Sequence, residues 1–212
     1  MNRLACLGVL ALLLGLTGCS TTVFESLPIG TSTDCDPAWP GRWEPVGTDD
    51  DPMKPQGAVE IAADCRSATT KGETKPVHLT LIDTRAGQYL QVHNDSGKPD
   101  CVGDGKTHCG ATLFRYERDG DTMRLYDADH AWIAAAIKGK KIDGYSARAD
   151  TKGLKTKEPT YQNFVAGDGK RIAALLRKHR ELFTTEPLMV LRRVPADAAP
   201  TVEAVPAPVR EQ

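Results

Sequence analysis

The sequence predicts a mainly β protein, in which an antiparallel meander is followed by one late amphipathic α-helix and a final strand. Three observations support this fold class. Short runs alternate between apolar and polar residues, tight polar turns separate the runs, and one late stretch has helical spacing instead. The alternating runs cover residues 57–65, 77–82, 89–93, 112–118, 121–127, 131–137, a short run up to residue 145, and 188–194. Their short connections favour antiparallel pairing, because a parallel pair needs a crossover of a dozen or more residues.

Two connections are the clearest hairpin signals. Residues 83–87 join the second and third runs, which would place His78 and His93 opposite each other. Such a pair can ligate a metal, but it is more typical of a half-exposed polar face. Asp119-Gly120 joins the next two runs, and both residue types accept the positive φ angles of a type I′ turn.

The late helix is predicted from one apolar stripe with a basic opposite face. The apolar positions are Ile172, Leu175, Leu176, Leu182 and Phe183, and the basic positions are Arg171, Arg177, Lys178 and Arg180. Asp168 is a candidate N-cap, because a carboxylate there accepts from the free N–H groups of the first turn. Pro187 cannot continue the helix.

The order of meander, helix and strand follows Gly41-Arg42-Trp43, and together these features resemble the lipocalin and calycin barrels. In that family a Gly-x-Trp motif opens the first strand, and its Trp closes the floor of the barrel. The resemblance implies that Arg192 or Arg193, near the last strand, packs on Trp43. A second lipocalin signature, Thr-Asp-Tyr, is absent from the sequence. The alternative architecture is an antiparallel sheet or sandwich with the helix packed on one face.

The chain begins with the pattern of a secretion signal. Arg3 precedes an apolar stretch over residues 4–16, which is shorter than the roughly 20 residues of a membrane-spanning helix. Leu16-Thr17-Gly18-Cys19 then resembles the lipobox of bacterial lipoproteins. The resemblance implies cleavage before Cys19, a diacylglycerol on its sulfur and a fatty acyl chain such as palmitate on its new amine. An ordinary cleaved signal and an uncleaved anchor are the alternatives.

This resemblance also predicts a location and a domain plan. Ser20, where an Asp would signal inner-membrane retention, implies a lipid anchor in the outer membrane facing the periplasm of a Gram-negative envelope. We expect a signal peptide over residues 1–18, a lipidated N-terminus and tether over 19–38, one β-rich domain over 39–194, and a disordered Pro- and Ala-rich tail over 195–212.

Four cysteines remain in the mature chain, and an even number in an oxidising compartment predicts two disulfides. Three pairings are open, of which Cys101–Cys109 with Cys35–Cys65 is preferred. The competing interpretation is a metal site from Cys101, His108 and Cys109, whose spacing differs from that of structural zinc sites.

Charge is distributed unevenly along a chain whose net charge is only −1, so a general role with nucleic acids has no support. Residues 19–137 carry 11 Lys and Arg against 19 Asp and Glu, whereas residues 138–193 carry 14 against 6. The asymmetry can mark a surface for a protein partner, or the two halves can neutralise each other within one fold. The basic positions considered for a partner are Lys138, Lys140, Lys141, Lys152, Lys155 and Lys157.

We find no catalytic, metal or cofactor motif in the sequence. The acidic clusters at residues 49–51, 119–121 and 127–129 lack calcium-loop spacing, and the Gly167–Lys170 run lacks the earlier Gly and the following Ser or Thr of a P-loop. We therefore expect a non-enzymatic binding or inhibitor module. An immunity protein against a periplasm-acting toxin, an envelope-assembly component and a small-ligand carrier are the alternatives.

Overall fold

Eight antiparallel strands close into a barrel, as seen in the computed structural model, which describes residues 20–32, 35–47, 57–70, 75–93, 98–103, 107–148 and 159–195. The strands are β1 (Thr21–Phe24), β2 (Thr31–Ser32), β3 (Gly41–Pro45), β4 (Val59–Ile61), β5 (Ser67–Thr70), β6 (Val77–Thr84), β7 (Gly87–His93), β8 (Asp100–Val102), β9 (His108–Gly110), β10 (Leu113–Asp119), β11 (Thr122–Tyr126), β12 (Gly144–Arg148), β13 (Tyr161–Val165) and β14 (Met189–Arg193). The helices are α1 (His130–Lys138) and α2 (Gly169–Lys178), and a 3-10 turn spans Arg180–Leu182.

The barrel runs in the order β3-β4-β5-β6-β7-β10-β11-β14, and β14 returns to pair with β3. The closing register places Arg193 opposite Trp43 and Leu191 opposite Pro45. The predicted fold class is therefore confirmed, in its closed form. The short strand β2 adds to the barrel beside the far end of β6.

Alternation along the strands fills the barrel interior with side chains. The buried residues that pack together there are Trp39, Trp43, Val59, Ile61, Cys65, Ala68, Val77, Leu79, Leu81, Leu90, Val92, Phe114, Tyr116, Met123 and Leu191. An eight-stranded barrel is just wide enough to be filled in this way. Packing of large side chains such as Trp43 and Phe114 weighs against an enclosed ligand cavity.

Part of the outer face of β6, β7, β10 and β11 is also buried, because a second layer packs on Ile82, Tyr89, Leu113 and Tyr126. This layer is built mostly by the long connection from β11 to β14, together with β1 from the N-terminus. Here β13 pairs with β1 in parallel and with β12 antiparallel. The buried residues between the layers are Phe24, Ile82, Tyr89, Leu113, Tyr126, Ala128, Ile133, Ala136, Ile142, Val165, Ile172, Leu176, Leu182 and Phe183.

Residues 35–40 lie against one end of the barrel. Trp39 packs edge-on against Tyr116 with ring centroids 4.9 Å apart, and its carbonyl accepts from Trp43 Nε1 at 2.9 Å. Arg193 Nη2 donates to the carbonyl of Pro40 at 2.9 Å. Of the two candidate arginines, Arg193 is therefore the one placed beside Trp43.

The preferred disulfide pairing is confirmed. Cys35 bonds to Cys65 and attaches the N-terminal segment to the β4–β5 turn. Cys101 and Cys109 are directly opposite residues of the β8–β9 hairpin, with Cα atoms 4.1 Å apart. Directly opposed, closely spaced pairs in antiparallel strands bring the side chains within bonding reach.

Residues 131–137 lie within helix α1, so the prediction of a strand there is wrong. Asp129 caps the helix, since its Oδ1 accepts from Trp132 N at 2.9 Å. Four alanines in this stretch favour a helix, and Ile133 and Ala136 bury one face at helical spacing. The late helix is confirmed, although its regular part ends at Lys178 and a 3-10 turn follows.

The tether prediction is wrong for part of residues 19–38, because β1 begins at Thr21. Val23 and Phe24 are fully buried, and β1 pairs with β13, which lies some 140 residues away in the sequence. The folded domain therefore begins at β1, ahead of the predicted boundary at residue 39. A strand of four residues is too short to display a reliable alternating pattern.

The predicted turn at Asp119-Gly120 is displaced by one residue. Asp119 pairs with Thr122, so the two central residues are Gly120 and Asp121. Gly120 adopts φ +55°, which places a glycine first in the turn, as in a type II′ hairpin.

The predicted signal peptide, Cys19 and residues 196–212 of the predicted tail lie outside the described residues. Among the residues that are described, no helix has both the length and the apolar character needed to cross a membrane.

Candidate functional site

The exposed face of α2 is a row of cations. Ile172 and Leu176 turn inward and are buried, whereas the cations in the first and last turns of the helix face solvent. The exposed basic residues of the helix are Lys170, Arg171, Arg177 and Lys178. Asp168 caps the helix as predicted, because its Oδ1 accepts from Arg171 N at 2.9 Å.

The end of α1 extends this row. Lys138, Lys140 and Lys141 are exposed where α1 ends, and Lys140 turns the chain with φ +56°. Asp143, which follows these lysines, forms an exposed ion pair with Arg171, so the chain after α1 lies beside the first turn of α2. We call the exposed cations of α2 and of the α1 end the cationic face.

The cationic face explains the uneven charge of the sequence. The basic part of the chain forms most of the second layer, whereas the acidic part forms most of the barrel. Lys152, Lys155 and Lys157 lie outside the described residues, so only Lys138, Lys140 and Lys141 of the predicted partner region are placed by the structure. A concentration of exposed charge of one sign attracts partners of the opposite sign and speeds their association.

A separate cleft of about 400 Å³ lies between the barrel and the end of α2. Its apolar floor is formed by Tyr89, Leu176 and Phe183, all of which are nearly inaccessible to solvent. Its polar lining includes Gln88, Arg115, Glu117, His179 and Arg180. Strands β7 and β10 contribute one wall, and the helix end with its 3-10 turn contributes the other.

Arg115 is fixed within this cleft by two neighbours. It forms an ion pair with Glu117, and its guanidinium carbon lies 3.9 Å from the centre of the Tyr126 ring. Tyr126 Oη donates to Glu117 Oε2 at 2.8 Å. That hydrogen bond is the largest of the effects that hold the pKa of Glu117 below its usual range, and the contact with Arg115 lowers the pKa further. Partial burial acts in the opposite direction.

Arg180 and His179 form fewer polar contacts with the described residues than Arg115 does. No carboxylate among the described residues forms an ion pair with Arg180, and His179 Nε2 is shielded from solvent without a hydrogen-bond partner there. The ring of His179 packs against Trp132, with centroids 5.5 Å apart. Burial raises the pKa of Tyr89 to about 12, although Arg115 and Arg180 both act to lower it. Arg115 and Arg180 both line the cleft, together with Tyr89 of its floor.

A chain of hydrogen bonds joins β1 to α1. Thr22 Oγ1 lies 2.8 Å from His130 Nδ1, and His130 Nε2 lies 3.2 Å from Asp127 Oδ2. Asn163 Nδ2 donates to Thr22 Oγ1 at 3.2 Å and to the carbonyl of His130 at 2.9 Å. Ser146 Oγ donates to Asn163 Oδ1 at 2.7 Å. Both ring nitrogens of His130 therefore have a partner, the hydroxyl of Thr22 at Nδ1 and the carboxylate of Asp127 at Nε2.

The order hydroxyl, imidazole and carboxylate is that of a hydrolase triad, but its surroundings differ. Thr22 is 2% exposed and Asn163 is fully buried, so the hydroxyl oxygen lies inside the fold and already accepts a hydrogen bond. A nucleophile must reach its substrate, and this one is enclosed. The chain therefore serves to lock β1 against α1.

The other predicted ligand residues are placed as follows. His78 and His93 do oppose each other across the β6–β7 hairpin, with stacked rings 5.2 Å apart. His108 stacks on Tyr145 at 4.3 Å, and the two cysteines beside it form a disulfide rather than a metal site. Within the described ranges, no three His, Cys, Asp or Glu side chains come together as a metal site would require.

Sequence reasoning identified the basic face of α2 but not the cleft. Arg115 and Glu117 are two residues apart on a strand and therefore lie on the same face. Their spacing in the sequence predicts an ion pair. Nothing local in the sequence indicates that this face meets Arg180 and His179. No protein-family model, no curated protein and no solved structure matches this chain.

Proposed function

We propose that this chain is a lipid-anchored, non-enzymatic binding or inhibitor module of the bacterial envelope, and that an acidic protein partner docks on its cationic face. The observation that carries the proposal is the row of exposed cations on α2 and at the end of α1. Of the carboxylates close by, Asp168 caps α2 and Asp143 pairs with Arg171. Lys170, Arg177 and Lys178 remain available to a partner.

An immunity protein is the specific form of this proposal that the fold suits best. Such a protein needs a rigid surface rather than a catalytic site, and a disulfide-bonded barrel with a fixed second layer supplies one. The filled barrel interior disfavours the alternative of a small-ligand carrier. An envelope-assembly component remains the structural alternative, and it predicts envelope defects on deletion without a toxin partner.

The proposed anchor at Cys19 has a consequence for orientation. Because β1 begins two residues after Cys19, the spacer between the lipid and the folded domain is Ser20. Ser20 Oγ already accepts from Tyr161 N at 3.0 Å. A lipid on Cys19 would therefore hold the domain directly against the membrane surface, instead of at the end of a flexible tether.

The anchor is tested by Cys19→Ala. We expect the variant to lose its lipid mass and to leave the membrane fraction. An unchanged mass and an unchanged fractionation would reject the anchor without bearing on the partner.

The partner is tested by affinity purification of the full chain from its own organism. We expect an acidic protein to co-purify with the wild type and to be lost with Lys170→Gln/Arg177→Gln/Lys178→Gln. The matched control is Arg66→Gln/Lys75→Gln/Arg192→Gln, which also removes three exposed cations but takes them from the barrel and its turns. The proposal fails if nothing co-purifies, or if both sets of substitutions weaken the complex equally.

A further inference from the structure

The cleft between the barrel and the end of α2 has the composition of a ligand site. Pockets of this kind combine an apolar floor with a few convergent polar groups, and volumes of about 300 Å³ and above hold small organic molecules. Tyr89, Leu176 and Phe183 form the floor, whereas Arg115, His179 and Arg180 contribute polar atoms. The cationic face and the cleft use different sides of α2, since Lys170 and Lys178 are absent from the cleft lining.

The charges in the cleft favour an anion. Arg115 is balanced by Glu117, but the positive charge of Arg180 has no ion-pair partner among the described residues. An exposed arginine needs no ion-pair partner, so the absence of a partner for Arg180 in the described part of the chain is not by itself evidence for an anion site. What distinguishes Arg180 is its place over an apolar floor, where its attraction for an anion is screened less than on an open surface.

The geometry also favours an anionic group with two oxygens that a guanidinium can bind, such as a carboxylate or a phosphate. Arg115 is held in place by Glu117 and by the ring of Tyr126, which reduces the conformational freedom that a ligand would otherwise have to restrict. A guanidinium binds carboxylates and phosphates through two parallel N–H donors. His179, whose Nε2 has no partner among the described residues, adds a polar ring to the same wall.

We propose that this cleft binds a small organic anion, with its carboxylate or phosphate at Arg180 and Arg115 and its apolar body on Tyr89, Leu176 and Phe183. The site goes beyond the docking of a protein partner, because it requires a different chemical class of ligand and different residues. Nothing in it calls for chemistry on the ligand. In this proposal the site binds the ligand and releases it unchanged.

The test uses the full chain in a non-ionic detergent and three probes that share one ring: phenylacetate, phenyl phosphate and the neutral phenylacetamide. Ligands of this size are expected to bind with a Kd of about 1 mM. We expect at least one of the two anions to give saturable binding by calorimetry, and the amide to bind at least tenfold more weakly. The two anions distinguish a carboxylate site from a phosphate site.

Arg180→Gln should weaken binding of the preferred anion at least tenfold, while Lys178→Gln, on the same helix end but outside the cleft, should leave it unchanged. Trp132 touches His179, so quenching or enhancement of its fluorescence on titration places the probe at this wall. Equal binding of the amide, equal effects of the two substitutions, or no saturable binding at about 10 mM probe would overturn the proposal. Loss of the protein partner, but not of the anion, with Lys170→Gln/Arg177→Gln/Lys178→Gln separates this site from the cationic face.

Discussion

Thr22 and His130, which are 108 residues apart in the sequence, lie in hydrogen-bond contact, with Thr22 Oγ1 2.8 Å from His130 Nδ1. This contact joins the first strand of the domain to the helix that covers the barrel. Asn163 holds both residues, because its Nδ2 donates to the hydroxyl of one and to the carbonyl of the other. A buried network of this kind stabilises the fold only while every member keeps its partner.

Thr22→Val should destabilise the protein by about 1–3 kcal/mol. The substitution keeps the shape of the side chain but leaves His130 Nδ1 and one donor of Asn163 without a partner in a buried site. Urea unfolding followed by circular dichroism measures the change in the free energy of unfolding. Thr21→Val, at the neighbouring half-buried position of β1, is the control and should change it by much less. Equal effects of the two substitutions would falsify the role given to the network.

Asp129→Ala should lower the free energy of unfolding by about 1 kcal/mol, the usual cost of losing an N-cap. Asp129 Oδ1 accepts from Trp132 N at 2.9 Å, and α1 is otherwise rich in alanine and short. Asp129→Asn keeps an acceptor at the same position and should retain most of the stability. If both substitutions cost the same, the carboxylate acts through its charge rather than as a cap.

The sequence predicted those parts of the fold that depend on local patterns. The β6–β7 hairpin, the cap at Asp168 and the basic face of α2 all follow from spacing within a few residues of one another. The sequence predicts a strand where α1 lies, because a short apolar run is compatible with either structure by periodicity alone. Its caps and its alanines are the signals that distinguish it.

Long-range relationships could not be predicted in the same way. The parallel pairing of β1 with β13 joins Thr22 to Asn163, and no pattern near either residue indicates the other. The cleft depends on Arg115 from β10 and Arg180 from the 3-10 turn meeting over Tyr89 from β7. The residues that line the cleft can be identified in the sequence, but they come close together only because the second layer packs on the barrel.

The two disulfides should contribute unequally to stability. In the chain-entropy model the cost of removing a disulfide grows with the loop that it closes. Cys35–Cys65 spans 30 residues and Cys101–Cys109 spans 8, so we expect losses of roughly 3.5 and roughly 2.5 kcal/mol.

Pairs of Cys→Ala substitutions, one pair for each disulfide, measure these losses by urea unfolding. Alkylation of the unfolded wild type without reductant should label none of these four cysteines, and full labelling after reduction is its control. A larger loss from the shorter loop would show that contacts of the β8–β9 hairpin, rather than loop entropy, set the contribution.

Stability should fall steeply at alkaline pH because of two buried phenols. Burial raises the pKa of both Tyr89 and Tyr116 to about 12, whereas a tyrosine in an unfolded chain ionises near pH 10. Below about pH 10 both states hold the phenol protons, and the free energy of unfolding is independent of these groups. Between about pH 10 and 12 the unfolded state releases protons that the folded state retains, so the free energy of unfolding decreases as pH rises.

Absorbance at the phenolate band and urea unfolding at several pH values check this expectation together. In the wild type, Tyr89 and Tyr116 should ionise well above pH 10, and in denaturant all five tyrosines should ionise near pH 10. Tyr89→Phe should remove one of the two late phenols and make the loss of stability with pH less steep. Tyr116→Phe, inside the barrel, should do the same, because both shifts are caused chiefly by burial. Ionisation of all five phenols near pH 10 in the folded protein would contradict the packing of both layers around these two rings.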